Sequence, residues 1–201
     1  VNPAPFGDVA SGALHAFHDR HAPEPDRVAA PHRDDAWTWI AANHRCNGFL
    51  WAEEDLARRT EVPAAEIVAN KRAIDRLNQQ RNDAIEALDA ALLARIADVM
   101  PQSGAWHNSE SAGAMIDRLS ILALKRLHMA RAAQREDATE ALRAACGARL
   151  ARLELQTADL GRCLDTLLAG AAQGTAFWRV YRQFKMYNDP ELNPALVGKP
   201  R

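Results

Sequence analysis

The sequence predicts an all-α protein, an antiparallel bundle of long helices with short terminal helices. Three observations predict it. Ala, Leu, Arg and Glu dominate while Val and Ile are few, which is the usage of long helices. Apolar residues recur at three- and four-residue spacing over stretches far longer than a strand. No stretch alternates convincingly as a strand would, and no repeat of solenoid length is visible.

The elements follow in order. Residues Val1 to Asp8 are irregular, with Pro3 and Pro5. Asp8 is placed to cap a short helix through about His21, with Val9, Leu14 and Phe17 on one face. The three prolines of residues 22–33 read as a linker. Asp34 or Asp35 caps a second helix to about Arg59, along which Trp39, Cys46, Phe49, Leu50 and Leu56 keep helical spacing. Pro63 suits the first turn of a third helix. That helix runs to about Met100 and is about 55 Å long if unbroken. A loop with Gly104 leads to Ser111, which caps a fourth helix from about Ala112 to Arg135. Glu136 and Asp137 open a fifth, which runs to about Ala172. Its seam is Leu142, Leu150, Leu153, Leu160, Leu164 and Leu167, and Gly174 closes it. A short aromatic helix from about Thr175 to Met186 follows, then a tail with Pro190, Pro194 and Pro200. The expected organisation is an N-terminal short helix and linker (1–33), a helical-bundle domain (34–196) and a tail (197–201).

The chain of 201 residues suffices for one helical domain with a full core. With 25 Lys and Arg against 26 Asp and Glu, the net charge is -1. A general nucleic-acid binder would carry a basic excess, so no nucleic-acid partner is expected. A 48% hydrophobic and 25% charged composition excludes a disordered chain. Cys46, Cys146 and Cys163 lie too far apart for a zinc or disulfide framework, so reduced thiols in a cytoplasm are expected. No apolar run approaches the roughly 20 residues that span a bilayer. The N-terminus lacks the basic and apolar regions of a secretion signal.

The third helix departs from a plain bundle. Ile67, Ile74, Leu77, Ile85, Leu88 and Leu92 form its core stripe. Beside it runs a polar stripe of Lys71, Asp75, Asn78, Asn82, Glu86 and Asp89, stacked at three- and four-residue spacing. Two Asn residues weaken a helix where Glu, Lys or Ala would support it, so a polar ligand or a buried network competes with a solvated face. Arg81 falls within the apolar stripe and needs a partner. On the second helix Glu53, Glu54 and Asp55 splay around the axis. Glu53 continues the core side, and Asp55 shares a side with Trp51 and Arg58. On the central fourth helix Asp117, Arg118, Lys125 and His128 gather on one side, either as an anion pocket or as an ion-pair network. Lys185, Tyr187, Asn188 and Asp189 crowd a turn fixed by Pro190, which serves a site or a cap.

Other signals carry less. His15, His18 and His21 drift around their helix and read as surface residues. Glu86 and Asp89, with Glu53 and Glu54, weakly match the paired acids of all-α nucleotide pyrophosphohydrolases, but position 57 is Ala57. There is no Glu-x-x-His pair for a di-iron centre, no glycine-rich phosphate loop and no metal site by spacing. No motif names a cofactor. Cys163 reads as a core residue.

Three blocks of residues carry a family resemblance. The first is Trp51 to Arg58, continued by Lys71 to Asp83. The second is Ile116 to Lys125 with His128 and Met129. The third is Tyr181 to Pro190, followed by Leu192 to Pro194. Over about Trp39 to Leu196 the chain resembles a bacterial domain-of-unknown-function family, number forty-two fifty-four. The family pattern ahead of the second block stands here as Asn108 to Gly113, which includes Glu110, with Ala112 in place of Pro. The resemblance implies an all-α protein often encoded beside glycosyltransferases and other envelope-sugar genes. It transfers no catalytic residue.

Two functions are expected. One is a ligand-binding protein or enzyme with a polar cleft between helices. Lys71, Arg81, Arg118, Lys125 and Lys185 would supply positive charge for a sugar phosphate or nucleotide sugar. Glu53, Glu54, Asp55, Asp75, Glu86, Asp117 and Glu110 would bind hydroxyls, a metal ion or a proton. Asn78, Asn82, Asn108, Tyr187, Asn188 and Asp189 would orient the ligand. Glu54 or His128 is the general base if the protein is catalytic. The other is a non-catalytic partner of a glycosyltransferase, whose polar networks fix helix register. A long third helix that pairs with its copy makes a homodimer a reasonable assembly.

Overall fold

The computed structural model describes residues 5–29, 35–182 and 191–194. Among them are five α-helices: α1 (Ser11–His21), α2 (Asp35–Leu56), α3 (Ala64–Ala94), α4 (Ala112–Ala133) and α5 (Glu140–Ala172). Two short strands, β1 (Trp106–Asn108) and β2 (Ala176–Trp178), and two 3-10 turns, Gly7–Val9 and Pro25–Arg27, accompany them. The architecture is the expected all-α bundle.

Its packing follows from the apolar stripes. The helix α2 lies chiefly on α3, α4 chiefly on α5, and α1 across α4 and α5. Short connections make each of the first two pairs a helical hairpin. Leu14, Ile40, Leu88, Leu92, Ile116, Leu119, Leu164 and Leu167 are at most 1% exposed and join all five helices in one core. Each such side chain contributes about 1.5–3 kcal/mol when taken from water.

Helix ends obey local chemistry. Ser111 Oγ accepts from the Ala114 N–H at 3.2 Å, as the sequence predicts for α4. Thr139 caps α5 in the same way through Leu142 N–H. The fifth helix therefore starts at Glu140, later than expected, because Arg135 folds onto Asp137 in the turn before it. Gly174 ends α5 with a φ of 73°. Thr175 N–H donates to Gly170 carbonyl at 2.9 Å and Gly174 N–H to Ala171 carbonyl at 3.1 Å. This is the glycine-closed helix end in which two otherwise open carbonyls are satisfied.

Several expectations are corrected. Asp8 does not cap α1: it accepts from Trp37 Nε1 at 3.0 Å and from Arg95 at 2.7 and 3.1 Å. The third helix stops at Ala94, which frees Arg95 for that contact. Residues 22–29 pack on the bundle rather than link to it. Val28 is 4% exposed, and a Cβ on Gly48 of α2 would lie 2.5 Å from Pro25.

The aromatic helix expected after Gly174 is instead β2, paired in parallel with β1 from Trp106–Ala176 to Asn108–Trp178. Three-residue strands are too short for an alternating pattern, and their partner lies about seventy residues away. Residues 183–190 lie outside the described residues.

Candidate functional site

The polar centre of the bundle is built on α2, α3 and α4. Asp117 on α4 is 3% exposed. Its Oδ1 accepts from Arg81 Nε at 2.8 Å, Asn43 Nδ2 at 2.8 Å and Asn47 Nδ2 at 2.9 Å. Arg81 Nη2 also donates to Asp117 Oδ2. That hydrogen bonding holds the guanidinium above its ordinary pKa, against the effect of burial. Arg81 thus has the partner its place in an apolar stripe required.

The network continues inward. Asn47 Nδ2 lies 3.0 Å from Ser120 Oγ, which lies 2.7 Å from His44 Nδ1. Burial lowers the His44 pKa to about 4. Its ring lies 4.7 Å from that of His18, the planes tilted by 31°, and His18 is fully buried with neither nitrogen hydrogen-bonded. The surface reading of the three histidines is therefore corrected: His18 is core and His15 is half-buried. Helix α1 lies across α4 and α5 and turns that face inward.

Three clefts surround this centre. The first, about 310 Å³, is lined by Asn47, Trp51, Glu54, Asp55, Asn78 and Arg81. The second, about 320 Å³, lies beyond Arg81 and includes Asn82, Glu86, Asp89, Glu110, Asp117 and Arg118. The third is a groove of about 470 Å³ between α2, α4 and α5. Trp51, Lys125, His128, Met129, Arg149 and Arg152 line it, with Leu153 and Gln156. Arg81 is common to the first two clefts and Trp51 to the first and third.

The residues singled out from sequence are thus distributed, not gathered in one cleft. Lys71 pairs with Asp75 on the exposed face of α3. Glu54 pairs with Arg58 at 3.1 Å, and Asp55 is exposed. Glu53 is half-buried and accepts from Asn70 at 2.8 Å. Arg118 pairs with Glu110 at 2.6 Å. Asn108 bonds to the Glu110 carbonyl at 2.7 Å within the turn before α4. Asp89 faces inward: it accepts from Gly113 N–H at 2.8 Å, and burial raises its pKa. Lys185, Tyr187, Asn188 and Asp189 lie outside the described residues.

Charge differs among the clefts. In the second, Glu86, Asp89, Glu110 and Asp117 outnumber Arg81 and Arg118, and both arginines are already paired. In the third, Lys125, Arg149 and Arg152 meet no carboxylate within ion-pair distance among the described residues, and no acid lines the groove. His128 stacks on Trp51 at 4.3 Å with the planes 15° apart. Burial lowers its pKa, helped by Arg131 and opposed by Asp55. The indole Nε1 of Trp51 is enclosed without a hydrogen-bond partner. Among the described residues no three His, Cys, Asp or Glu side chains are set to hold a metal ion. No described helix is long and apolar enough to cross a membrane.

Sequence reasoning missed Asn43, His44, Asn47 and Ser120, and it missed Arg149 and Arg152. The first three had a usable signal, a polar group at three- and four-residue spacing inside an otherwise apolar helix. The two arginines had none, because a basic residue on a long helix reads as solvated.

The family model described as Protein of unknown function (DUF4254) matches residues 37–180. The block from Tyr181 to Pro190 lies beyond that match. No curated protein and no solved structure matches the chain.

Proposed function

The chain belongs to the DUF4254 family, and we propose that it binds a phosphorylated sugar or a nucleotide sugar across Trp51. The observation that carries this reading is the basic groove. Lys125, Arg149 and Arg152 line it as exposed side chains with no acidic partner among the described residues. Unpaired cations in a concave site suit phosphate, which arginine binds through two oxygens. On the other side of Trp51 the first cleft offers Asn47, Asn78, Glu54 and Asp55 to hydroxyls. His128, held neutral by burial, is the group available to accept a proton.

A second reading has one observation in its favour. Arg81 with Asp117 and Arg118 with Glu110 use up each other's charge. Such pairs fix helix register, as expected of a non-catalytic partner of a glycosyltransferase.

The test is a thermal-shift series on the full chain with glucose 1-phosphate, nucleotide sugars and nucleotides, with and without magnesium. A native-state ligand raises the midpoint with concentration. The ligand reading expects a shift that is lost in Lys125→Ala and Arg152→Ala. No shift across the series favours the partner reading, which a pull-down with a glycosyltransferase as bait then examines.

A further inference from the structure

The groove beside Trp51 bears on which of the two ligand classes fits. Its three cations stand on two helices: Lys125 on α4, with the neutral His128 three residues on, and Arg149 and Arg152 three apart on α5. Between them the surface is mostly apolar, from Met129, Leu153 and the Trp51 ring, with one amide from Gln156. A hydroxylated sugar gains little by covering a thioether and a leucine, because its own hydroxyls lose water without finding partners. A flat heteroaromatic ring gains from both, by apolar burial and by contact with the indole and imidazole. The volume of about 470 Å³ is that of a small-molecule site rather than a nucleic-acid track. The hydroxyl partners lie elsewhere, in the amide-lined cleft that shares Trp51.

We infer that the groove holds the base and phosphates of a nucleotide, and that the ligand is a nucleoside diphosphate sugar whose sugar enters the cleft of Asn47 and Asn78. This rests on the phosphate-binding reading above and selects between its two ligand classes. The base lies on Met129 and Leu153, and the diphosphate bridges Lys125 on one wall to Arg149 and Arg152 on the other.

Calorimetric titration of the full chain tests it. The probes are the four common nucleoside diphosphates, inorganic pyrophosphate and glucose 1-phosphate. At least one nucleoside diphosphate is expected to bind about tenfold or more tightly than pyrophosphate and glucose 1-phosphate, as base stacking commonly provides. Leu153→Asn is expected to remove most of that advantage and leave pyrophosphate binding unchanged. Arg152→Ala is expected to weaken every probe, with melting curves confirming that both variants fold. Equal affinity for nucleotides, pyrophosphate and glucose 1-phosphate, still sensitive to Arg152→Ala, overturns the inference and keeps the phosphate reading. Nucleotide binding indifferent to both substitutions places the ligand outside the groove and overturns the inference and the groove assignment together. No binding by any probe overturns the phosphate reading itself.

Discussion

Arg81 of α3 holds Asp117 of α4 through two parallel hydrogen bonds, Nε to Oδ1 at 2.8 Å and Nη2 to Oδ2. The Asp117 side chain is only 4% exposed, whereas Arg81 keeps 27%. The arginine therefore reaches in from a cleft wall to neutralise an acid that could not be buried alone. Arg81→Leu would leave Asp117 with Asn43 and Asn47 as hydrogen-bond partners, and breaking a buried pair this way costs about 3–5 kcal/mol. Urea unfolding of the single variant checks this. Adding Asp117→Asn should recover part of the loss, since the stranded charge goes with it. A single variant within about 0.5 kcal/mol of the parent would show that the pair does not hold the helices.

The buried His18 and His44 pair is expected to make stability fall in mild acid. Burial lowers both pKa values, His44 to about 4. The unfolded histidine binds its proton near pH 6.5, so between 6.5 and 4 the unfolded state carries more protons. Stability contributed by neutral His44 is full above 6.5 and declines as pH falls, reaching a loss of about 3 kcal/mol near pH 4. Chemical denaturation from pH 7.5 to 4.5 reads the slope. His44→Gln should flatten it, and an unchanged slope would place the acid sensitivity in other groups.

Gly113 lets α4 approach α3. A Cβ there would lie 2.8 Å from Asp89 Oδ2 and from the Ile85 carbonyl. The backbone carbonyl cannot swing away, and the same glycine donates its N–H to Asp89. Gly113→Ala is expected to cost about 1–3 kcal/mol, as overpacking does, although alanine favours a helix by itself. The fall in melting temperature measures it. Gly147→Ala, with nothing within 4 Å of its Cβ, serves as the control and should be neutral or stabilising.

The three thiols should differ in access. Cys46 and Cys146 are buried and Cys163 is exposed. Burial also raises the Cys46 pKa, which removes thiolate. Titration with an aromatic disulfide should therefore modify one thiol rapidly in the folded protein and all three in urea. Loss of the rapid phase in Cys163→Ser identifies it, and two rapid thiols in the native state would contradict this packing.

Much of the fold was legible because it depends on local terms. Ser111 before Ala112 and Gly174 after α5 are end signals read over four or five residues, and the structure uses both. The apolar stripe of α3 placed Leu88 and Leu92 in the core. Cys163 shows the limit of that method. It follows the apolar side of a long helix on the sequence pattern, yet α5 presents it to solvent where no neighbour covers it. Leu142 is 45% exposed for a similar reason.

The candidate site was legible only in part. A charge in an apolar stripe announced that Arg81 needed a partner, but not which acid would meet it. Asp117 does so because α3 and α4 are packed together, a contact that spans 36 residues of sequence. The β1–β2 pair is of the same kind: each strand is three residues long and pairs with a partner far away in sequence, while Ala176 and Trp178 of β2 also pack in the core. The basic groove joins Lys125 of α4 to Arg149 and Arg152 of α5, and no spacing on either helix foretells that they face one another without an acid between them. The sequence by itself determined the helices, their caps and the need for buried partners, because propensity, capping and periodicity act within a few residues. Tertiary structure alone decided which charges neutralise each other and which meet no opposite charge among the described residues, because that balance depends on distances between helices.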